Sequence, residues 1–307
     1  AVSNLKQDTS FLIIITPNHN IQNVIDSAPV NATIVFQKGV YTQSFRIFKP
    51  LTLIGSGSNE TIFSIETKPN NPAITISSSF VYFSNFTLTN TASGLYSTGI
   101  RIDSTKVQVS NCLIQDTPIG IAVWNDQVKI TKSTFTNCSD EGILLITTSI
   151  STSDNNEIRD CVFIENCDGI ELQRSSNNVI SYCIFKGNTH AGIDAICDNN
   201  NNNTISQCTF SNNIAFDIYF SSSEYNRISQ CNLQNPDRSV VFSPTSLTNN
   251  ITIQLPVSSN QYVDQVSSQM KDQSVSKIQI VESFLSKSYD ILKTILEELT
   301  SKINKRP

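Results

Sequence analysis

The chain has 307 residues, of which only 15% are charged, with a formal net charge of −5 and a pI near 5.1. That balance excludes the basic face needed to hold nucleic-acid phosphates, and the late cluster Lys302, Lys305 and Arg306 reads as a solvated helix end. The longest apolar run, Phe11 to Ile15, is five residues against the roughly 20 a membrane helix needs, so no transmembrane span is expected.

Ser and Thr together number 70 and Asn 33, a surface composition that suits a β-rich chain facing the outside of a cell. Eight Cys, an even number, permit an oxidising compartment. The opening Ala1-Val2-Ser3, without Met, matches a mature protein after signal-peptide removal. The expected location is therefore extracellular or at the cell surface. Six N-x-S/T sequons make Asn31, Asn59, Asn85, Asn137, Asn202 and Asn250 candidate glycosylation sites. Chance alone gives about seven in such a composition, so they do not decide the location.

The first informative segment is residues 20–64, NIQNVIDSAPVNATIVFQKGVYTQSFRIFKPLTLIGSGSNETIFS. It resembles the opening coil of the pectin-lyase-like right-handed parallel β-helix superfamily, with its I-Q-x-A-I-D-x-A, G-x-Y and K-P-L-T-L-x-G motifs. The resemblance implies a short helix at Ile21 to Ala28 capping the solenoid. It implies a first coil turned at Gly39 and Tyr41, then a strand in Lys49 to Gly55.

Between residues 105 and 235 one pattern recurs: N-x-I-x-x-C-x-F, a polar stretch, then G-I and a short strand. Its clearest copies are NEIRDCVF, NVISYCIF, NTISQCTF and NRISQCNL. The 22–25 residue spacing of Cys161, Cys183, Cys208 and Cys231 suits one solenoid coil per repeat. Coils stacked at the ~4.8 Å strand spacing place equivalent residues above one another. Four rows follow. A Cys row runs through Cys112 and Cys161 to Cys231, with Ser133 and Phe86 substituting. The second holds Leu88, Ile114, Phe135, Phe163, Phe185, Phe210 and Leu233. The third holds Ile100, Ile121, Ile143, Ile170, Ile193 and Ile218. The fourth, Asn156, Asn178, Asn203 and Asn226, is expected at turns, where Asn tolerates left-handed backbone and can bond the next Asn. Thr147 to Asp154 and Asp198 to Asn202 read as loop insertions. These repeats resemble those of NosD-like and carbohydrate-binding surface proteins, and the combined resemblance spans about residues 10–255. It implies the fold but not the activity, since the superfamily mixes lyases, hydrolases, epimerases, adhesins and tailspikes.

The chemistry-bearing residues are sparse. Five Cys in an inward row act as small hydrophobes; Cys138 and Cys167, in neighbouring coils, are candidates for a disulfide. With only His19 and His190 and no C-x-x-C or H-x-x-x-H, no zinc or copper site is expected. Alignment on the Gly-Ile row sets Glu141 beside Asp168 and Glu171 beside Asp194. Adjacent carboxylates raise one pKa, a condition useful for acid catalysis or for binding calcium, although solvated turn carboxylates are the plainer reading. Pectinesterase Q-D-T, polygalacturonase G-H-G and epimerase D-P-H motifs do not occur. Trp124 and Tyr219, outward after Gly-Ile, are candidate sugar-stacking residues.

After Pro256 the pattern turns helical. Ile278, Val281, Leu285, Ser288, Leu292, Ile295 and Leu299 alternate in threes and fours, which predicts an amphipathic helical segment over 262–303. The expected organisation is an all-β right-handed parallel β-helix over 1–258 and a C-terminal amphipathic helix over 259–307. The expected function is a non-catalytic surface protein, an adhesin, tailspike-like or filament subunit, forming a homo-oligomer through 262–303 and binding a cell-surface polysaccharide. The alternative is a polysaccharide lyase or glycoside hydrolase using Glu171 and Asp194.

Overall fold

Strands of three to seven residues, too short to stand alone, gain stability here by stacking. Each pairs in parallel with its equivalents one coil before and after. The result, in a computed structural model that describes residues 11–94, 96–233, 239–243 and 249–253, is a right-handed parallel β-solenoid of about ten turns. One of its strand rows, from Phe45–Ile47 to Val240–Phe242, forms a nine-stranded sheet. The segment 262–303, with the boundary expected at 258, lies outside the described residues.

The rows read from the repeat are the registers of the fold. Leu88, Ile114, Phe135, Phe163, Phe185, Phe210 and Leu233 pair successively. Four of them stack ring on ring at centroid distances of 5.0, 4.8 and 4.7 Å. Ile100 through Ile218 form the second such row. Both rows are buried, and each ring or branched chain removed from water is worth about 1.5–3 kcal/mol. Glycine precedes the Ile row in five consecutive coils, Gly99 to Gly192, where a side chain has no room, and Asp217 takes the position before Ile218. A Cβ on Gly169 would lie 2.5 Å from the carbonyl oxygen of Gly192 and 2.6 Å from the Phe185 ring.

The Asn row needs correcting in one respect. The left-handed residues are not Asn156, Asn178 and Asn203 but the residues before them, Asn155, Asn177 and Asn202. The row residues are buried instead: the carboxamide oxygens of Asn178, Asn203 and Asn226 accept the backbone N–H of the Asn one coil earlier at 2.8–2.9 Å, and that of Asn156 accepts from Val128 N–H at 2.8 Å. A second such ladder, Asn166, Asn188 and Asn213, was not visible in the sequence pattern. Single left-handed residues also make the corner before the Cys row: Asn85, Asn111, Lys132, Asp160, Tyr182, Gln207 and Gln230. The strain of a non-glycine residue at positive φ is offset by a backbone bond to the next coil, such as Lys132 N–H to the Arg159 carbonyl at 3.0 Å.

At the N-terminal side the helix forms at Ile21–Ser27, capped by Asn20 and burying Ile21 and Ile25. Tyr41 is buried and donates its hydroxyl to the Ile15 and Gln37 carbonyls. The strand expected in Lys49 to Gly55 is Thr52–Gly55. All eight cysteines are free thiols, which corrects the disulfide expected between Cys138 and Cys167. Those two residues are neighbours, with Cys167 N–H bonded to the Cys138 carbonyl at 3.0 Å. Their side chains differ in environment: Cys138 is buried in the interior, whereas Cys167 is half-buried.

Candidate functional site

Three consecutive strands of the nine-stranded sheet, Glu141–Ile146, Asp168–Gln173 and Ala191–Ile196, carry the carboxylates. Their inward Ile143, Ile170 and Ile193 fix the alternation, and so the register of the opposite face. Glu141 pairs with Asp168 and Glu171 with Asp194, as the repeat required. The reading as solvated turn carboxylates is overturned. All four lie on strands and are between 3% and 6% exposed, because the neighbouring coils and loops wall them in.

Burial sets their electrostatics. Loss of water, with Glu171 and Asp140 beside it, pushes the Glu141 carboxyl up to about 10. Burial and then Asp168 push Asp194 up to about 7, against the pull of His190. Burial also raises Glu171, opposed by the amide of Gln173. His190 sits at the centre of the cluster. Its Nδ1 lies 2.9 Å from Asp168 Oδ1 and 3.4 Å from Asp194 Oδ2. Its hydrogen bond to Asp168 raises the imidazole above its ordinary value, with burial opposing. Glu141 Oε2 and Asp194 Oδ1 are buried with no hydrogen-bond partner.

A groove of about 550 Å³ leads toward this cluster. Its lining includes Tyr96, Arg101, Trp124, Asp140, Glu141 and Gln173. Trp124 is half-buried, with the Arg101 guanidinium 4.2 Å from its ring centroid. Arg101 is held there by Asp103 at 2.7 Å. Tyr219 is in register with Asp194 on the far side and stacks on Phe216 at 5.2 Å. Aromatics therefore flank the carboxylates at both ends. Arg101 carries no sequence signal of its role, because it belongs to the coil before Trp124 and the repeat does not mark its position. Among the sequon residues, Asn31, Asn59, Asn137 and Asn202 are exposed and Asn85 is half-buried; the side chain of Asn250 is not described.

The sequence matches the family described as Periplasmic copper-binding protein (NosD), over residues 26–193 and again over 73–277. The chain belongs to the NosD family. No curated protein matches it. Solved structures share the NosD-family chain's fold at low identity. The alginate lyase from Paenibacillus sp. str. FPU-7 is 14% identical, with a TM-score of 0.55 over 80% of this chain and 99% of that one. The enzymatically active domain of tailspike protein 2 from bacteriophage CBA120 is 12% identical, with a TM-score of 0.60 over 78% and 43%. Pectate lyase Pel9A is 13% identical, with a TM-score of 0.56 over 81% and 78%. At such identity these likenesses establish the fold alone.

The copper in the NosD description calls for nitrogen, sulfur or oxygen donors in reach of one another. The Cys row is enclosed in the core. Among the described residues, Asp168, His190 and Asp194 bring one ligand atom each to within 4.8 Å of the others. One imidazole and two carboxylates form a donor set that Cu(II) accepts, and the unpartnered Asp194 oxygen is free to serve it. The residues of this NosD-family chain fit the ion.

Proposed function

We propose that this chain is a surface β-helix protein that binds a neutral polysaccharide along the groove from Tyr96 and Trp124 past the carboxylates to Tyr219. The observation that carries this reading is the Trp124 ring, braced by Arg101 in an open groove that ends at Glu141. An aromatic face stacks on the apolar face of a sugar ring, and flanking carboxyls and amides take its hydroxyls. Glu141 keeps its proton at neutral pH, so the floor offers a donor there as well as acceptors. Four coil steps separate the Trp124 and Tyr219 coils, about 19 Å at the strand spacing, room for several sugars. Trp124→Ala is expected to weaken binding to a responsive glycan in a polysaccharide panel at least tenfold, measured by affinity electrophoresis. Unchanged retention of that variant refutes the groove as the binding face.

A second reading, a polysaccharide lyase or glycoside hydrolase, is favoured by a protonated carboxyl, Glu141, beside Glu171, which is in turn in register with Asp194. The same panel tests it: turnover abolished by Glu171→Gln establishes an enzyme. For the copper of the family's description, Asp168, His190 and Asp194 are the residues that would hold it, and an ion there supplies a Lewis-acid centre beside the groove. Self-association through residues 262–303 belongs to the same proposal. Their heptad stripe has to be buried, since each Leu or Ile left in water forgoes about 1.5–3 kcal/mol. Light scattering should show a smaller assembly once residues 262–307 are deleted; an unchanged number of chains per particle counts against assembly.

A further inference from the structure

Five strands outside the nine-stranded sheet, Tyr82–Ser84, Gln108–Ser110, Lys129–Thr131, Glu157–Arg159 and Val179–Ser181, stack in register on another face of the solenoid. Their middle residues, from Phe83 to Ile180, are buried, so the residue that opens each strand points outward. Two positions before each opening residue the corner is left-handed, at Phe80, Lys106, Gln127, Asn155 and Asn177. Corner and strand residues together wall a trough of about 630 Å³ that crosses the strands. From Tyr82 to Val179 it climbs four coil steps, about 19 Å at the strand spacing.

The lining holds binding groups that the fold does not use. Phe80 and Tyr82 are 51% and 43% exposed, large rings in water at one end of the trough. The Lys106 ammonium lies 5.2 Å from the Phe80 ring centroid and has no carboxylate partner among the described residues. One coil on, Lys129 pairs with Glu157 at 2.8 Å, an exposed pair of the weak kind that an incoming anion can replace. The walls thus carry two cations to one anion, in a chain whose formal net charge is −5. The carboxamides of Gln108, Gln127, Asn155 and Asn177 are exposed and bond to nothing among the described residues. Those of Asn156 and Asn178, one position along, are buried and bonded to the next coil. Rings for sugar faces, amides for hydroxyls and an unmatched ammonium describe a ligand that is a saccharide and an anion. A peptide fits less well. Extended peptides gain affinity from main-chain bonds to a sheet edge, and these strands already give theirs to the coils before and after.

We propose that the trough from Phe80 and Tyr82 past Lys106 and Lys129 to Val179 is a second glycan site, selective for an acidic polysaccharide whose carboxylates meet the two lysines. It shares no residue with the groove at Trp124, so the two readings fail separately. The full chain is titrated by calorimetry with short oligomers of polyglucuronate, polygalacturonate and hyaluronan, and with their carboxyl-reduced, neutral counterparts. At least one acidic oligomer is expected to bind, with its neutral counterpart at least tenfold weaker. Lys106→Met and Tyr82→Ser, both at exposed positions that leave the core intact, should each weaken that binding at least tenfold. Trp124→Ala should leave it unchanged, as should Lys186→Met, which removes the same charge from a different strand row. Wild-type affinity in either Lys106→Met or Tyr82→Ser overturns the proposal, as does an equal loss in Lys186→Met, the mark of diffuse polyanion binding. It is also overturned if no acidic oligomer binds, if neutral oligomers bind equally well, or if an oligoglutamate peptide of the same charge binds as tightly.

Discussion

Phe185→Ala is expected to destabilise the solenoid by about 3–5 kcal/mol, the cost of removing a buried aromatic ring from a packed core. The ring is fully buried between Phe163 and Phe210, 4.8 and 4.7 Å away and almost parallel to both. Its removal forfeits two stacking contacts and the van der Waals floor beneath Gly169, whose α-carbon approaches the ring too closely for any larger residue. Neighbouring coils cannot close the gap, because backbone hydrogen bonds fix the spacing of Phe163, Phe185 and Phe210 in their strands. Denaturant unfolding of the variant should show a midpoint shifted by that amount. Phe185→Leu, which keeps most of the volume, should lose less than half as much. A loss below about 1 kcal/mol in the alanine variant would mean that the stacked row is not a principal source of stability.

The second large effect concerns pH, and its direction runs opposite to ordinary acid denaturation. Glu141 moves from 4.5 in the open chain to about 10 in the fold, and Asp194 from 3.8 to about 7. Groups whose pKa rises on folding stabilise the native state fully below their open-chain values and lose that contribution as pH climbs through the folded ones. Glu171 and Asp140 shift in the same sense. His190, also raised, adds stability below its ordinary pKa and gives it up as pH increases. Each such group costs roughly 1.4 kcal/mol per pH unit within its window. In chelator-treated protein the melting temperature should therefore fall between pH 5 and pH 8. Glu141→Gln removes the largest contributor. It is expected to melt about 8–16 °C higher than the wild type at pH 8, the roughly 4 kcal/mol accumulated over three pH units, and to match it closely at pH 5. A wild type more stable at pH 8 than at pH 5, with no gain from Glu141→Gln, refutes the buried, proton-bearing Glu141.

The same carboxyls link stability to function. The cluster weakens the fold at neutral pH, so the stacked rows must supply the surplus that keeps it assembled. Sites of this kind are where proteins accept local cost, because a ligand recovers it. The groove and the carboxylate cluster occupy adjacent positions: Trp124, Glu141 and Gln173 line the groove, and Asp168, His190 and Asp194 stand beside it.

The repeat alone determined the solenoid, its rows and the pairing of Glu141 with Asp168 and Glu171 with Asp194, all of which the registers reproduce. The reason is that a stacked coil turns sequence period into spatial adjacency, so spacing along the chain is position in the fold. Three things had no such signature. Burial of the carboxylates depends on loops and neighbouring coils that the period does not describe, so they looked like solvated turn residues. His190 sits in the connection before its strand, outside the aligned rows, and its approach to both Asp168 and Asp194 depends on how that connection folds back. The left-handed corners fall on Asn, Asp, Lys, Gln and Tyr alike, since a hydrogen bond to the next coil, and not residue type, holds them. The repeat set which residues share a row; only the tertiary structure decided which of them lose water, and with that which can carry a proton.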